Sequence, residues 1–291
     1  MSTVPADARI IDRGYRPYDG PRLGAAGAVR SLIRHTVQRV LGLRRPFQYK
    51  VLPLLSAGIA YIPAIVFVGL SALIKDDRVR QGFLPTYGQY YGFIVSALIV
   101  FASFVAPEAL CPDRRTGMLG LYLAAPFTRL SYVASKVGAV LGLLAIATLG
   151  PPLLMVVAFI LQGQGPDGPL NVVTLLLRVV VSGTLVAAVY TSVSLGISSL
   201  TDRRAIASAA TLLTIVGTAA VSGVLVDGVG LPSWLYMFNL SAAPFELVRH
   251  IFGERGELAV GVFPLVVGNL FWIVLGMGTI WWRYRRIEVT K

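Results

Sequence analysis

The chain has 291 residues, of which 55% are hydrophobic and 14% charged, with mean hydropathy +0.72 and a formal net charge of +12. Soluble domains carry about 25% charged residues, so this composition excludes an ordinary soluble protein and points to an integral membrane one. The one cysteine, Cys111, excludes an internal disulfide.

Residues 1–50 read as a cytoplasmic arm and a surface helix. Met1 to Leu23 is rich in proline and glycine, which favours turns over helix. From Ala25 to Arg45, Val29, Leu32, Ile33, Thr36, Val37, Val40 and Leu41 recur at helical spacing. Arg30, Arg34, Gln38 and Arg45 fill the opposite side, predicting a basic amphipathic helix along the inner membrane surface, with a docking helix for a partner as the alternative. No apolar core segment precedes residue 51, so no cleavable signal peptide is evident and the first span must itself direct insertion.

Residues 51–291 carry six apolar runs, each near the roughly 20 residues that cross a bilayer. The expected spans are Val51 to Ile74, Tyr90 to Leu110, Tyr132 to Leu161, Val172 to Leu200, Ala205 to Val226 and Leu258 to Trp282. Pro53 and Pro63 allow kinks in the first, and Gly150-Pro151-Pro152 predicts a break in the third. Gly138 and Gly142 have the spacing of a close helix contact, and the small residues of the fifth span favour the same. Asn269 is expected to bond a neighbouring helix, and Asn239-Leu240-Ser241 fits a glycosylation acceptor.

Six spans place both termini on one side. Of the 26 Lys and Arg residues, 20 fall at that side, which orients both ends to the cytoplasm. The same distribution explains the charge as an orientation signal and an attraction to anionic membrane lipids, and argues against nucleic acid as a partner. Between spans five and six, Asp227 to Glu257 is too apolar for a solvated loop. A short outer helical hairpin dipping into the interface is expected there, with Trp234, Tyr236 and Phe238 at headgroup level.

Catalytic chemistry needs convergent titratable groups, and the spans are nearly free of them. His35 and His250 fall on opposite sides, and no metal-ligand spacing, nucleophile and base pair or phosphate-binding glycine loop is present. Neither enzymatic activity nor a directly bound metal or cofactor is expected. Arg178 reads as a residue snorkelling to the interface or, alternatively, touching a substrate. Glu108, at the inner end of span two, is expected to pair with Arg114, Arg115 or a charge on the turn before span five.

Between spans two and three lies PEALCPDRRTGMLGLYLAAPFTRLSYVASK. Met118, Leu119, Leu121, Tyr122 and Leu123 follow Asp113, Arg114, Arg115 and Thr116 in a pattern that predicts a short amphipathic helix facing a soluble partner. This segment resembles the signature of ABC-2 type transporter permeases. The matching positions are Asp113, Arg114, Arg115, Thr116, Gly117, Leu119, Leu121, Leu123, Ala124, Ala125, Pro126, Thr128, Arg129 and Lys136, with Met118 where relatives more often carry threonine. The resemblance extends to the surface helix, the six spans and NLSAAPFELVRHIFG.

It implies an all-α membrane domain with a cytoplasmic coupling helix, Asp113 to Ala125, that another subunit pushes, with Pro126 beside it among the coupling residues. The implied partners are an ATP-binding cassette subunit, which would bind ATP and Mg, and a second copy or a sister permease. The implied activity is export across the cell membrane of an amphiphilic substrate such as a drug, antibiotic or lipid. A subunit that transmits force without moving a substrate, or a carrier of another kind, is the alternative.

Overall fold

A computed structural model describes residues 24–74, 76–124 and 127–286. The expected N-terminal arm, Ala125 and Pro126 lie outside the described residues. Among those residues the chain is helical, with no strand, and forms eleven α-helices. These are α1 (Gly24–Val40), α2 (Val51–Leu73), α3 (Asp77–Phe83), α4 (Tyr87–Val100), α5 (Cys111–Arg115), α6 (Met118–Ala124), α7 (Arg129–Leu161), α8 (Pro169–Ser198), α9 (Arg204–Gly223), α10 (Ala243–Phe252) and α11 (Val262–Arg286). Six helical stretches are long and apolar enough to cross a membrane: α2, Tyr87–Arg115, α7, α8, Arg204–Gly228 and α11.

The second span is the centre of the bundle. Its apolar window is 67% buried, against 17% for the span that begins with α9. Tyr90, Tyr91, Ile94, Leu98, Ala102, Ala106 and Leu110 supply much of that core. The helix changes pitch on the way: Phe101–Val105 widens into a π turn and Ala106–Ala109 tightens into a 3-10 turn. Pro107 has no N–H to continue the ladder, and its ring clashes with the carbonyl four residues back, so irregular pitch is expected here. Neighbouring helices supply donors to the irregular turns. Ser194 Oγ donates to the Ala102 carbonyl at 2.5 Å, and Arg204 donates to the Phe104 carbonyl at 2.9 Å.

The break expected at Gly150-Pro151-Pro152 does not occur, since α7 runs uninterrupted for 33 residues. Both prolines are buried against neighbours, which is how membrane helices tolerate them. Gly150 instead makes room for Tyr61, whose hydroxyl would lie 1.8 Å from a Cβ there and donates to the Ile146 carbonyl at 2.9 Å. At about 1.5 Å per residue α7 exceeds the 30 Å apolar layer, so its ends project or it tilts.

The close helix contacts fall at other glycines than expected. A Cβ on Gly138 or Gly142 would meet open space. On Gly276 it would fall 2.2 Å from the Ser192 carbonyl oxygen, and on Gly196 2.9 Å from Gly276 Cα, so α8 and α11 cross backbone to backbone. Van der Waals contact of this kind holds membrane helices together where lipid removes the hydrophobic drive between them.

The segment between spans five and six forms two short helical pieces that pack into the bundle. Ser233–Phe238 is a 3-10 turn, and α10 buries Ala243 to Val248 against α4, α8 and α11. Tyr236 is buried with its hydroxyl on Asp227, while Trp234 stays exposed. Tyr190 Oη donates to the Leu240 carbonyl at 3.0 Å and Trp272 Nε1 to that of Phe238 at 3.2 Å, so the turn reaches into the bundle. Asn239 is buried in the folded chain, and its side-chain oxygen accepts from Ser241 and Ala242 backbone N–H groups. Asn269 donates to the Leu265 carbonyl at 2.8 Å in its own helix and to that of Ala243 at 3.4 Å at the start of α10.

The crossing at Gly276 gives a direct test. Gly276→Ala should destabilise the protein by about 1–3 kcal/mol through overpacking, whereas Gly278→Ala, where nothing lies within 4 Å, should be neutral. Unfolding in detergent reads both. Equal behaviour of the two variants would overturn the close approach.

Candidate functional site

The polar residues singled out between spans two and three come together at the end of the bundle where α1, the start of α7, the α8–α9 turn and the end of α11 meet. Two acids form its centre. Asp113, on α5, is fully buried and takes three partners: the Arg39 guanidinium of α1, Lys136 Nζ of α7 at 2.6 Å, and Tyr132 Oη at 3.0 Å. The ammonium of Lys136, itself fully buried, also lies 5.5 Å from the Tyr132 ring centre and 5.9 Å from that of Tyr122. A buried lysine remains tolerable when a carboxylate and aromatic faces replace its water.

Glu108, in the 3-10 turn, forms the second node. Arg45 Nη1 lies 2.6 Å away, Arg204 Nη1 3.0 Å and Arg39 Nε 3.8 Å. Of the partners expected for Glu108, the one on the turn before span five is realised through Arg204, and Arg114 and Arg115 are not used. Arg39 touches both acids and so joins the two nodes. Arg114 instead donates to the Ser199 carbonyl and, at 3.2 Å, to that of Thr201, pinning α5 to the α8–α9 turn. Arg129 closes the ring by donating to the Arg285 carbonyl at 2.6 Å at the end of α11.

The surface helix is shorter than expected, ending at Val40. A glycine-terminated turn follows, in which Leu43 N–H reaches the Gln38 carbonyl at 2.8 Å and Gly42 takes φ +65°. Leu32, Thr36 and Val40 on its apolar stripe are buried, and α1 packs on α7, so this part of the stripe faces protein. Arg30 and Arg34 remain exposed, while Arg45 belongs to the ion network. Burial, with the nearby Arg39 and Lys136 charges, holds the His35 imidazole below its ordinary value of 6.5.

The single helix expected from Asp113 to Ala125 is two pieces. α5 ends at Thr116, whose hydroxyl donates to the Pro112 carbonyl at 2.8 Å, and Gly117 turns the chain at φ +69° into α6. A left-handed residue cannot continue a right-handed helix, which is the cause of the split. On α6, Leu119 is buried, Tyr122 is half-buried against Phe127 and Tyr132, and Met118 and Leu121 are exposed. A groove of about 440 Å³ lies between α1 and this segment, lined by His35, Arg39, Arg45, Met118 and Tyr122 among others.

Arg178 sits away from this cluster and donates to the Phe252 carbonyl at the end of α10, at 3.1 Å. No group of metal-ligating side chains occurs among the described residues. The sequence reading did not single out Arg39 or Tyr132, and it named Lys136 as a position of the resemblance without pairing it to Asp113. The available signal was the acids: two carboxylates beside an apolar span need cationic partners.

Removing one partner of the buried pair should be costly. Asp113→Asn should lose about 3–5 kcal/mol by leaving Lys136 uncompensated, and Asp113→Asn combined with Lys136→Met should recover much of that. Glu108→Gln should cost less, because the side chains of Arg45 and Arg204 are 34% and 39% exposed. Chemical unfolding in detergent would rank the variants, and a fully stable Asp113→Asn protein would refute the role of the network.

Comparison with known proteins leaves the geometry to stand alone: no protein-family model matches the chain, and no curated protein matches it in sequence.

Proposed function

We propose that this chain is the membrane subunit of an ATP-driven exporter of the ABC-2 type. A separate ATP-binding cassette subunit docks on α6 and the adjoining groove, at the end that faces the cytoplasm. The observation that carries this reading is the division of labour between α5 and α6. α5 is tied to α1 and α7 through Asp113 and to the α8–α9 turn through Arg114. α6 leaves Met118 and Leu121 exposed, Leu121 by 65%. Exposed apolar side chains beside a rigid, multiply anchored turn suit a surface that receives force and passes it to several spans.

In this reading ATP and Mg belong to the partner, and a second copy of the chain or a sister subunit completes the translocation path. The cargo is amphiphilic, in keeping with spans that are apolar, rich in small and hydroxyl side chains and nearly free of charge. A carrier driven by an ion gradient is less favoured, since Glu108 and Asp113 both sit in ion pairs at one end of the bundle.

Leu121→Asp tests the docking surface without disturbing the core. The wild-type chain, coexpressed with the ATP-binding subunit encoded beside it, should co-purify as a complex with ATPase activity. The variant should retain its thermal stability and lose on the order of thirtyfold in complex affinity, the scale of one interface hot spot. An undiminished complex with unchanged ATP hydrolysis would remove α6 from the interface.

A further inference from the structure

We infer that the cleft beside the start of α9 binds the anionic headgroup of a glycerophospholipid, with the acyl chains running along α9. The cleft measures about 1040 Å³, and its lining changes character along its length. Arg115, Asp202, Arg203 and Arg204 line it where α9 begins, Ala209 and Leu212 line it further along α9, and Phe104 of the second span, whose carbonyl Arg204 bonds, completes the apolar lining. Leu212 follows Arg204 by eight residues, which is about 12 Å along a helix. A charged floor at the end of a span and an apolar wall inside it match a headgroup followed by glycerol and the first acyl carbons.

The charges in the floor are unequally committed. Arg204 is held by Glu108 and by the Phe104 carbonyl. Arg115 and Arg203 are exposed and form no ion pair among the described residues, so two uncommitted guanidinium groups outnumber Asp202. A guanidinium matches a phosphodiester with two parallel hydrogen bonds, where a lysine offers a point charge. The span beginning with α9 is also the least buried of the six, with Leu213, Val216 and Val221 turned outward. Free phosphate would use the arginines and leave the apolar wall idle, whereas a lipid uses both. The inference requires only that the chain spans a membrane, and so stands or falls separately from the export reading.

The full chain, reconstituted in nanodiscs of phosphatidylcholine with a minority of phosphatidylglycerol, tests it by native mass spectrometry. Phosphatidylglycerol should be retained over phosphatidylcholine. Arg115→Gln combined with Arg203→Gln should lower that retention by roughly twenty-fivefold, about fivefold for each arginine, and Arg203→Gln alone by about fivefold. Arg30→Gln combined with Arg34→Gln, an equal loss of charge on α1, should lower retention far less than the cleft pair does. Inorganic phosphate should not displace the lipid. The site is disproved if the α1 pair lowers retention as much, if inorganic phosphate displaces the lipid, or if Ala209→Cys crosslinks two copies across the cleft while lipid retention is indifferent to the arginines.

Discussion

A single buried carboxylate holds one end of this bundle together. Asp113 has no contact with solvent and is shared between Arg39 of α1 and Lys136 of α7, with the Tyr132 hydroxyl as a third partner. Two cations on one acid, none of them free to recruit much water, leave little freedom in how the three helices meet. Such a cluster is weak evidence for added stability, because apolar side chains of equal volume often do as well. Its effect is on register. α1 cannot slide along α7, and α5 cannot swing away from either, without stranding a charge.

The second span brings both acids to that place by means of its irregular pitch. A regular helix from Tyr87 to Arg115 would keep its carbonyls to itself. The π and 3-10 turns around Pro107 instead expose the Ala102 and Phe104 carbonyls to Ser194 and Arg204. Arg204 is bonded to one of these carbonyls and to Glu108 at once. The geometry of the backbone and the electrostatics of the site are therefore one arrangement. Across the bundle, the backbone crossing of α8 and α11 at Gly196 and Gly276 fixes the spacing of the scaffold on which the α8–α9 turn is presented.

The spans were legible in the sequence because uninterrupted apolar length leaves few other readings. Their partners were not. The apolar stripe of α1 looks the same whether it will meet lipid or protein, and only the fold shows Leu32, Thr36 and Val40 buried on the α7 side. Glu108 and Asp113 were conspicuous as acids in an apolar setting. The bases that satisfy them were hidden among the twenty that the sequence pattern assigns to one side, since charge alone does not say which arginine turns inward. Glycine spacing misled for a related reason: Gly138 and Gly142 share a helix face with nothing behind it, whereas Gly276 has the Ser192 carbonyl. A spacing rule sees one helix, and a contact needs two.

The same network constrains how the candidate docking segment could move. A push on α6 reaches α5 through the Thr116–Gly117 turn, the place in this segment where the helical hydrogen-bond ladder is broken. From α5 it meets Asp113, whose ion pairs with Arg39 and Lys136 would together cost about 3–5 kcal/mol to break without replacement. Rotating α1, α5 and the start of α7 together breaks neither pair, so it is the cheaper response. The Glu108 contacts to Arg45 and Arg204 are more exposed and thus easier to exchange. Motion would therefore divide the cluster between its two acids, with Asp113 inside the moving body and Glu108 at its edge.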